Sequence, residues 1–197
     1  MKGKKMSDLE KYKKTFKKRL YGLRGIVDYY IDEFKCGVEE LQEKFHNSDV
    51  KNPIGYTGVN SNGIHSGFIS KEVDRLKRQH NCSVNRLKEM KLLTDEHLFG
   101  TTLIGRMVLQ AFIDSGFNIK YMVNEWLPNN LYLWATVIIT RKEDKRLGRH
   151  IHSFEQKVNM THYSEANIPL TGTPRLDFPE SIMNYIYSPY QSDKFFE

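Results

Sequence analysis

Six cationic side chains crowd into nine residues near the start of the chain: Lys11, Lys13, Lys14, Lys17, Lys18 and Arg19. Ammonium and guanidinium groups at this density neutralise phosphates and release their counterions, so they point to a polyanionic partner bound in a salt-dependent way. The same pattern also suits an anionic membrane surface, or a helix face kept solvated by lysine. A second group of cations, Arg75, Lys77, Arg78, Arg86 and Lys88, lies further on and offers further phosphate contacts. Catalytic patterns are missing by contrast. The chain has no GxSxG, no Walker loop, no HExxH, no CxxC and no EF-hand loop. Its two cysteines, Cys36 and Cys82, show no metal spacing. No catalytic residue, metal ligand or cofactor is therefore assigned.

The charge is unevenly distributed. Residues 1–24 hold ten basic and two acidic groups, an excess of eight positive charges where the whole chain has only +6. Residues 25–50 are acidic, with seven carboxylates against Lys35 and Lys44. Asymmetry of this kind bears on partners rather than on fold. No apolar run approaches the ~18 residues of a membrane span, and no apolar stretch backs the basic start, so neither a span nor a secretory signal is expected. Two cysteines are too few for a disulfide scaffold, which makes a reduced, cytoplasmic setting the default.

The elements that must position these cations follow from periodicity. Ser7-Asp-Leu-Glu10 fits a capping box, and apolar residues then recur from Leu9 to Phe45 every 3.6 residues on average, the α-helical repeat. An amphipathic helical arm over 1–46 is expected, basic in 1–24 and acidic in 25–46. Gly22 and Gly25 predict a kink or short break near 22–25. Residues 47–69, rich in Gly and Asn, read as a loop. Residues 70–197 read as one α+β body. Within it, helices are expected from Ser70 to His80 and, capped by Ser83, from Val84 to about Leu92; this pair invites a helix-turn-helix reading with Asn85 and Arg86 toward bases. A buried helix follows over 102–114. Phe117, Ile119, Tyr121 and Val123 alternate with polar residues, and Leu131 to Ile139 is nearly all apolar, so a small antiparallel sheet is expected on a 117–140 hairpin. Ala166 to Leu170 suggests a short strand, and Pro179 opens a last helix to Tyr187.

The stretch Leu131–Val158 reads as a buried strand, a basic loop Arg141-Lys-Glu-Asp-Lys-Arg-Leu-Gly-Arg149 and a helix carrying Leu147, Ile151, Phe154 and Val158. In outline this resembles the pyrophosphate-gripping unit of the GNAT acetyltransferases. The resemblance implies a phosphorylated cofactor at 131–158, with His150 or His152 as acid–base candidates. Lys145-Arg-Leu-Gly148-Arg-His150 keeps one glycine of that family's loop and has His where the family has a small residue. His150-Ile-His152 is also similar to the His-hydrophobe-His pair of rolling-circle replication and relaxase nucleases, which implies a divalent metal and a tyrosine nucleophile such as Tyr185, Tyr187 or Tyr190.

The leading expectation is a small intracellular nucleic-acid-associated binding protein, non-enzymatic, holding single- or double-stranded nucleic acid through Lys11–Arg19 and the 71–91 helices. The richness in Lys, Asn and Tyr points to an AT-rich genome, such as that of a virus or mobile element. The alternatives are an acyltransferase-like enzyme, and an interaction protein that inhibits or recruits a host machine through the apolar seam of the amino-terminal helix.

Overall fold

The computed structural model describes residues 8–35, 37, 40–46, 49, 54–55, 58–59, 63–150 and 161–186. The elements, in chain order, are α1 (Asp8–Phe34), α2 (Leu41–Lys44), β1 (Ile64–Ser70), α3 (Lys71–His80), α4 (Val84–Glu89), β2 (Leu93–His97), α5 (Thr101–Asp114), α6 (Ile119–Tyr121), α7 (Leu127–Asn129), β3 (Ala135–Thr140), α8 (Arg141–His150), α9 (Thr161–Glu165), β4 (Leu170–Gly172) and α10 (Glu180–Ile186). The class is α+β, with a long amino-terminal helix and a small mixed sheet. Two compact units share the chain, residues 1–63 with 100–134 and residues 64–99 with 135–197, a division that cuts across the linear segments 1–46, 47–69 and 70–197.

In the first unit α1 buries one stripe, Phe16, Leu20, Leu23, Val27 and Tyr30. Phe16 stacks on Trp126 at 6.1 Å and meets the edge of Trp134 at 5.6 Å between ring centroids. Tyr30 stacks on Phe45 at 4.4 Å and donates its hydroxyl to Asp49 Oδ2 at 2.5 Å. The Trp134 indole N–H reaches the Ile54 carbonyl oxygen at 3.1 Å, so this large ring is buried with its donor satisfied. The helix is a single element through Gly22 and Gly25, and it ends at Lys35, where φ is +49°, instead of continuing to 46. Both glycines are exposed, and a Cβ at either would meet nothing within 4 Å. Gly25→Ala is therefore expected to stabilise the first unit by about 0.8–1 kcal/mol, read as a rise in the urea midpoint.

The expected 117–140 hairpin is corrected. Ile119 to Asn129 is helical throughout, with a π-turn at Met122–Trp126 between α6 and α7. Asn118 caps this stretch, its Oδ1 accepting the Tyr121 N–H at 3.0 Å. That local bond, with Met122, Val123 and Leu127 buried at helical spacing, overrides the period-two alternation. Leu131–Trp134 forms a 3₁₀ turn, which leaves Ala135–Thr140 as the only strand of the apolar run.

The second unit holds a four-stranded sheet in the order β2-β3-β1-β4. It is mixed rather than antiparallel: β1 and β3 are parallel neighbours, while β2 and β4 run antiparallel at the edges. β3 is buried at all six residues, as a central strand covered on both faces must be. Val73, Leu87, Leu93 and Ile138 form a core cluster that packs α3 and α4 on the sheet. β1 rises from the segment expected to be loop. Its pairing with β3 shifts between His65 and Ile69, at Gly67, whose φ of +99° suits glycine and where a Cβ would sit 1.9 Å from the Thr173 carbonyl oxygen.

Both parallel strands end in a hydroxyl residue that caps the next helix. Ser70 Oγ accepts the Val73 N–H at 3.2 Å, and Thr140 Oγ1 accepts the Glu143 N–H at 3.1 Å. Glu143 completes a capping box by accepting the Thr140 N–H at 2.8 Å, and it accepts the Ser70 hydroxyl at 2.7 Å as well. One buried carboxylate thus ties together the starts of α3 and α8. The segment read as a basic loop, Arg141–Arg149, is the helix this capping box begins.

His65 and His97 lie on either side of Thr136 in the sheet register. Burial is the largest cause pushing both imidazoles below the ordinary 6.5; at His65 the Arg175 charge adds to it, and at His97 the Asp95 carboxylate opposes it. A depressed folded pKa favours the neutral ring, so this stability is present above the unfolded value and is lost as pH falls through the folded one. The melting temperature should therefore fall between about pH 7 and about pH 5, and less steeply in His97→Gln.

Candidate nucleic-acid interface

Side chains opposite the buried stripe of α1 point to solvent. Helical geometry places Lys14, Lys17, Lys18 and Tyr21 on that face within two turns, about 10 Å along the axis. Because the inner stripe is packed against residues of its own unit, the helix cannot roll, and the outer face is held in one orientation. The apolar seam expected to offer a docking surface is covered within the chain at Phe16, Leu20, Leu23 and Val27, which have no exposed surface, while Phe34 at the end of the helix is exposed.

The six expected cations of α1 divide into three groups. Lys11 pairs with Asp8 at 2.9 Å and Lys13 with Glu10 at 3.8 Å, contacts one turn apart on the helix surface. Arg19 is half-buried, and its Nε has no hydrogen-bond partner among the described residues. Lys14, Lys17 and Lys18 are exposed and have no carboxylate within ion-pair distance among the described residues. Further along, Arg24 lies 4.2 Å from the centre of the Phe117 ring and pairs with Asp28 at 2.8 Å, so it serves packing.

The second set of expected cations is held by the chain's own carboxylates. Arg75 forks onto Glu72 at 2.7 and 2.6 Å. Arg78 and Lys77 both hold Asp74. Arg86 pairs with Glu89 at 2.9 Å, and Lys88 reaches Asp95 on β2 at 2.6 Å. The Arg75 hydrogen bond is the main reason the Glu72 carboxyl sits below its ordinary range, and the Arg78 hydrogen bond does the same for Asp74. The pair itself forms as expected, turning at Asn81 with φ +45°, but α4 has only six residues. Asn85 and Arg86 are exposed and Leu87 is buried.

One member of the α1 face escaped sequence reasoning. Tyr21 is 59% exposed, directly after the lysines, and Tyr29, on the same side two turns later, is 60% exposed. The signal was present: Tyr21 and Tyr29 fall outside the 3.6-residue apolar repeat that Phe16, Leu20, Leu23, Val27 and Tyr30 follow. The side chain of His150, all of His152, and Ile151, Phe154, Val158, Tyr187 and Tyr190 lie outside the described residues, as do Lys2, Lys4, Lys5 and most of the 47–62 stretch. Among the described residues no group of His, Cys, Asp or Glu is arranged to hold a metal, and no helix is long and apolar enough to cross a membrane. No protein-family model, no curated protein and no solved structure matches the chain.

Proposed function

We propose that the chain binds nucleic acid, and single strands in particular, through the outer face of α1. The observation that carries this reading is the row Lys14, Lys17, Lys18 and Tyr21: three exposed ammonium groups without carboxylate partners among the described residues, followed on one helix face by an exposed aromatic ring. Lysines that no internal carboxylate neutralises are the ones free to exchange condensed counterions for phosphates. A phenol ring presented beside them offers a stacking surface to an unpaired base, while bases in a duplex are already stacked. Paired cations on α3 and α4 would have to give up their carboxylates first, so they rank below α1. The reading carries a cytoplasmic setting and an AT-rich genome with it, as the composition suggested.

The test is fluorescence anisotropy of a labelled oligonucleotide of about 20 bases, titrated with the full chain. Three phosphates on a single strand imply a slope of log K against log salt near −2, or about a sixteenfold weakening between about 50 and 200 mM salt. A flat salt response overturns the proposal. Tighter binding to duplex than to single strand would retain the lysines but remove the role given to Tyr21.

A further inference from the structure

We infer that the second unit holds a binding cavity for a small phosphorylated ligand of about mononucleotide size, independent of the α1 surface. A cavity of about 670 Å³ opens where β3 passes into α8, with α3 forming the facing wall. This volume lies within the ~300–1,000 Å³ of small-molecule sites. Its position at the carboxyl ends of adjacent parallel strands is where open α/β sheets form their ligand crevices.

The charge of the wall selects the ligand. Five cations line the cavity, Lys71, Arg75, Arg78, Lys142 and Arg146, against three carboxylates, Glu72, Asp74 and Glu143. All three carboxylates are committed: Glu72 to Arg75, Asp74 to Arg78 and Lys77, and Glu143 to Ser70 and Thr140. The surplus is shared, one charge on α3 and one on α8. Lys142 is exposed and has no carboxylate at ion-pair distance among the described residues, and Arg146 gives one N–H to a neutral acceptor, the Asn167 carbonyl oxygen, at 2.9 Å. The field of Lys142 and Arg146 reaches the facing wall, where both charges help hold the Glu72 carboxyl below its ordinary range.

Helix dipoles are secondary here, because several first-turn amides already have acceptors. The Lys71 N–H goes to the Pro169 carbonyl oxygen at 2.9 Å and the Arg141 N–H to that of Leu92 at 3.0 Å, while the Val73 and Glu143 amides serve the two caps. Side-chain cations must therefore do the binding. A net surplus of two positive charges matches a phosphate monoester, which carries about −1.5 to −2 near neutral pH, better than a single carboxylate. The Arg146 guanidinium can offer further N–H donors to phosphate oxygens, and Lys142 a mobile point charge.

Isothermal titration of the full chain with AMP, pyrophosphate and inorganic sulphate, at about 150 mM salt, tests this. Saturable one-to-one binding of AMP is expected, stronger than that of sulphate. Lys142→Gln together with Arg146→Gln should weaken it at least about tenfold, while Lys14→Gln with Lys17→Gln leaves it unchanged. Should the double variant unfold because Arg146 no longer holds the 167 loop, Lys142→Gln alone should still weaken binding about threefold or more. No saturable heat with AMP or pyrophosphate, equal affinity for sulphate, an unaffected Lys142→Gln, or loss of binding in the α1 variant would each overturn the assignment. The α1 proposal fails separately, through the oligonucleotide salt titration.

Discussion

Replacing Lys14, Lys17 and Lys18 together by glutamine should remove most of the salt-sensitive affinity for single-stranded nucleic acid. Each lysine that neutralises one phosphate contributes about −0.7 to the slope of log K against log salt on a single strand. Loss of three should therefore flatten the slope by about 2 and weaken binding on the order of tenfold or more at about 50 mM salt. Lys11→Gln should act less, since Lys11 already shares its charge with Asp8 at 2.9 Å. Tyr21→Ala should cost about 1–3 kcal/mol, roughly five- to a hundredfold in affinity, with the salt slope unchanged. Because all four side chains are exposed, the melting temperature should hardly move in any of these variants. Equal affinities for the parent and triple variant would show that α1 is a solvated face and nothing more.

Glu143→Ala should destabilise the second unit by about 2–4 kcal/mol. The carboxylate is 4% exposed and accepts from the Ser70 hydroxyl and the Thr140 amide. Alanine leaves both donors buried without that acceptor, at about 1–3 kcal/mol for an unsatisfied group, and removes half of a capping box. Glu143→Gln retains an amide oxygen in the same place and should lose only about 1 kcal/mol. Urea unfolding gives both values from the midpoint at constant slope. A loss below about 0.5 kcal/mol in the alanine variant would mean that α3 and α8 are held by the core alone.

How much of this could be read beforehand depended on how local its cause was. α3 starts at Lys71 and α4 at Val84 because Ser70 and Ser83 cap them, and serines before periodic apolar residues are visible in the sequence. α5 likewise carries its boundaries in its own composition. β1 was hidden by Gly63 and Gly67, which look like turn residues; the Thr173 carbonyl that crowds against Gly67 comes from far along the chain. The 119–129 helix was hidden by a chance alternation of apolar residues, although Asn118 was a legible cap. Thr140-Arg-Lys-Glu143 has the same S/T-x-x-E spacing as Ser7-Asp-Leu-Glu10, yet its dense charge made it look like a loop. At the candidate interface, the lysines were legible as types. Which of them have partners was not, since Asp74 and Asp95 collect their cations only once α3 and β2 are in place.

The interleaving of the two units has a consequence for synthesis on the ribosome. β1 is complete at Ser70, but both strands that flank it, β3 and β4, end only at Thr140 and Gly172. At ordinary elongation of about 5–20 residues per second, β1 waits roughly 4–14 s with both hydrogen-bonding edges open, and roughly 5–20 s before β4 is complete. Phe68 and Ile69 stay uncovered for that interval, which makes the nascent chain a natural client for chaperones that shield apolar strands. A stop codon anywhere between 100 and 134 would leave β1 without either neighbour for good, so shortened chains of that kind should aggregate rather than yield a working half.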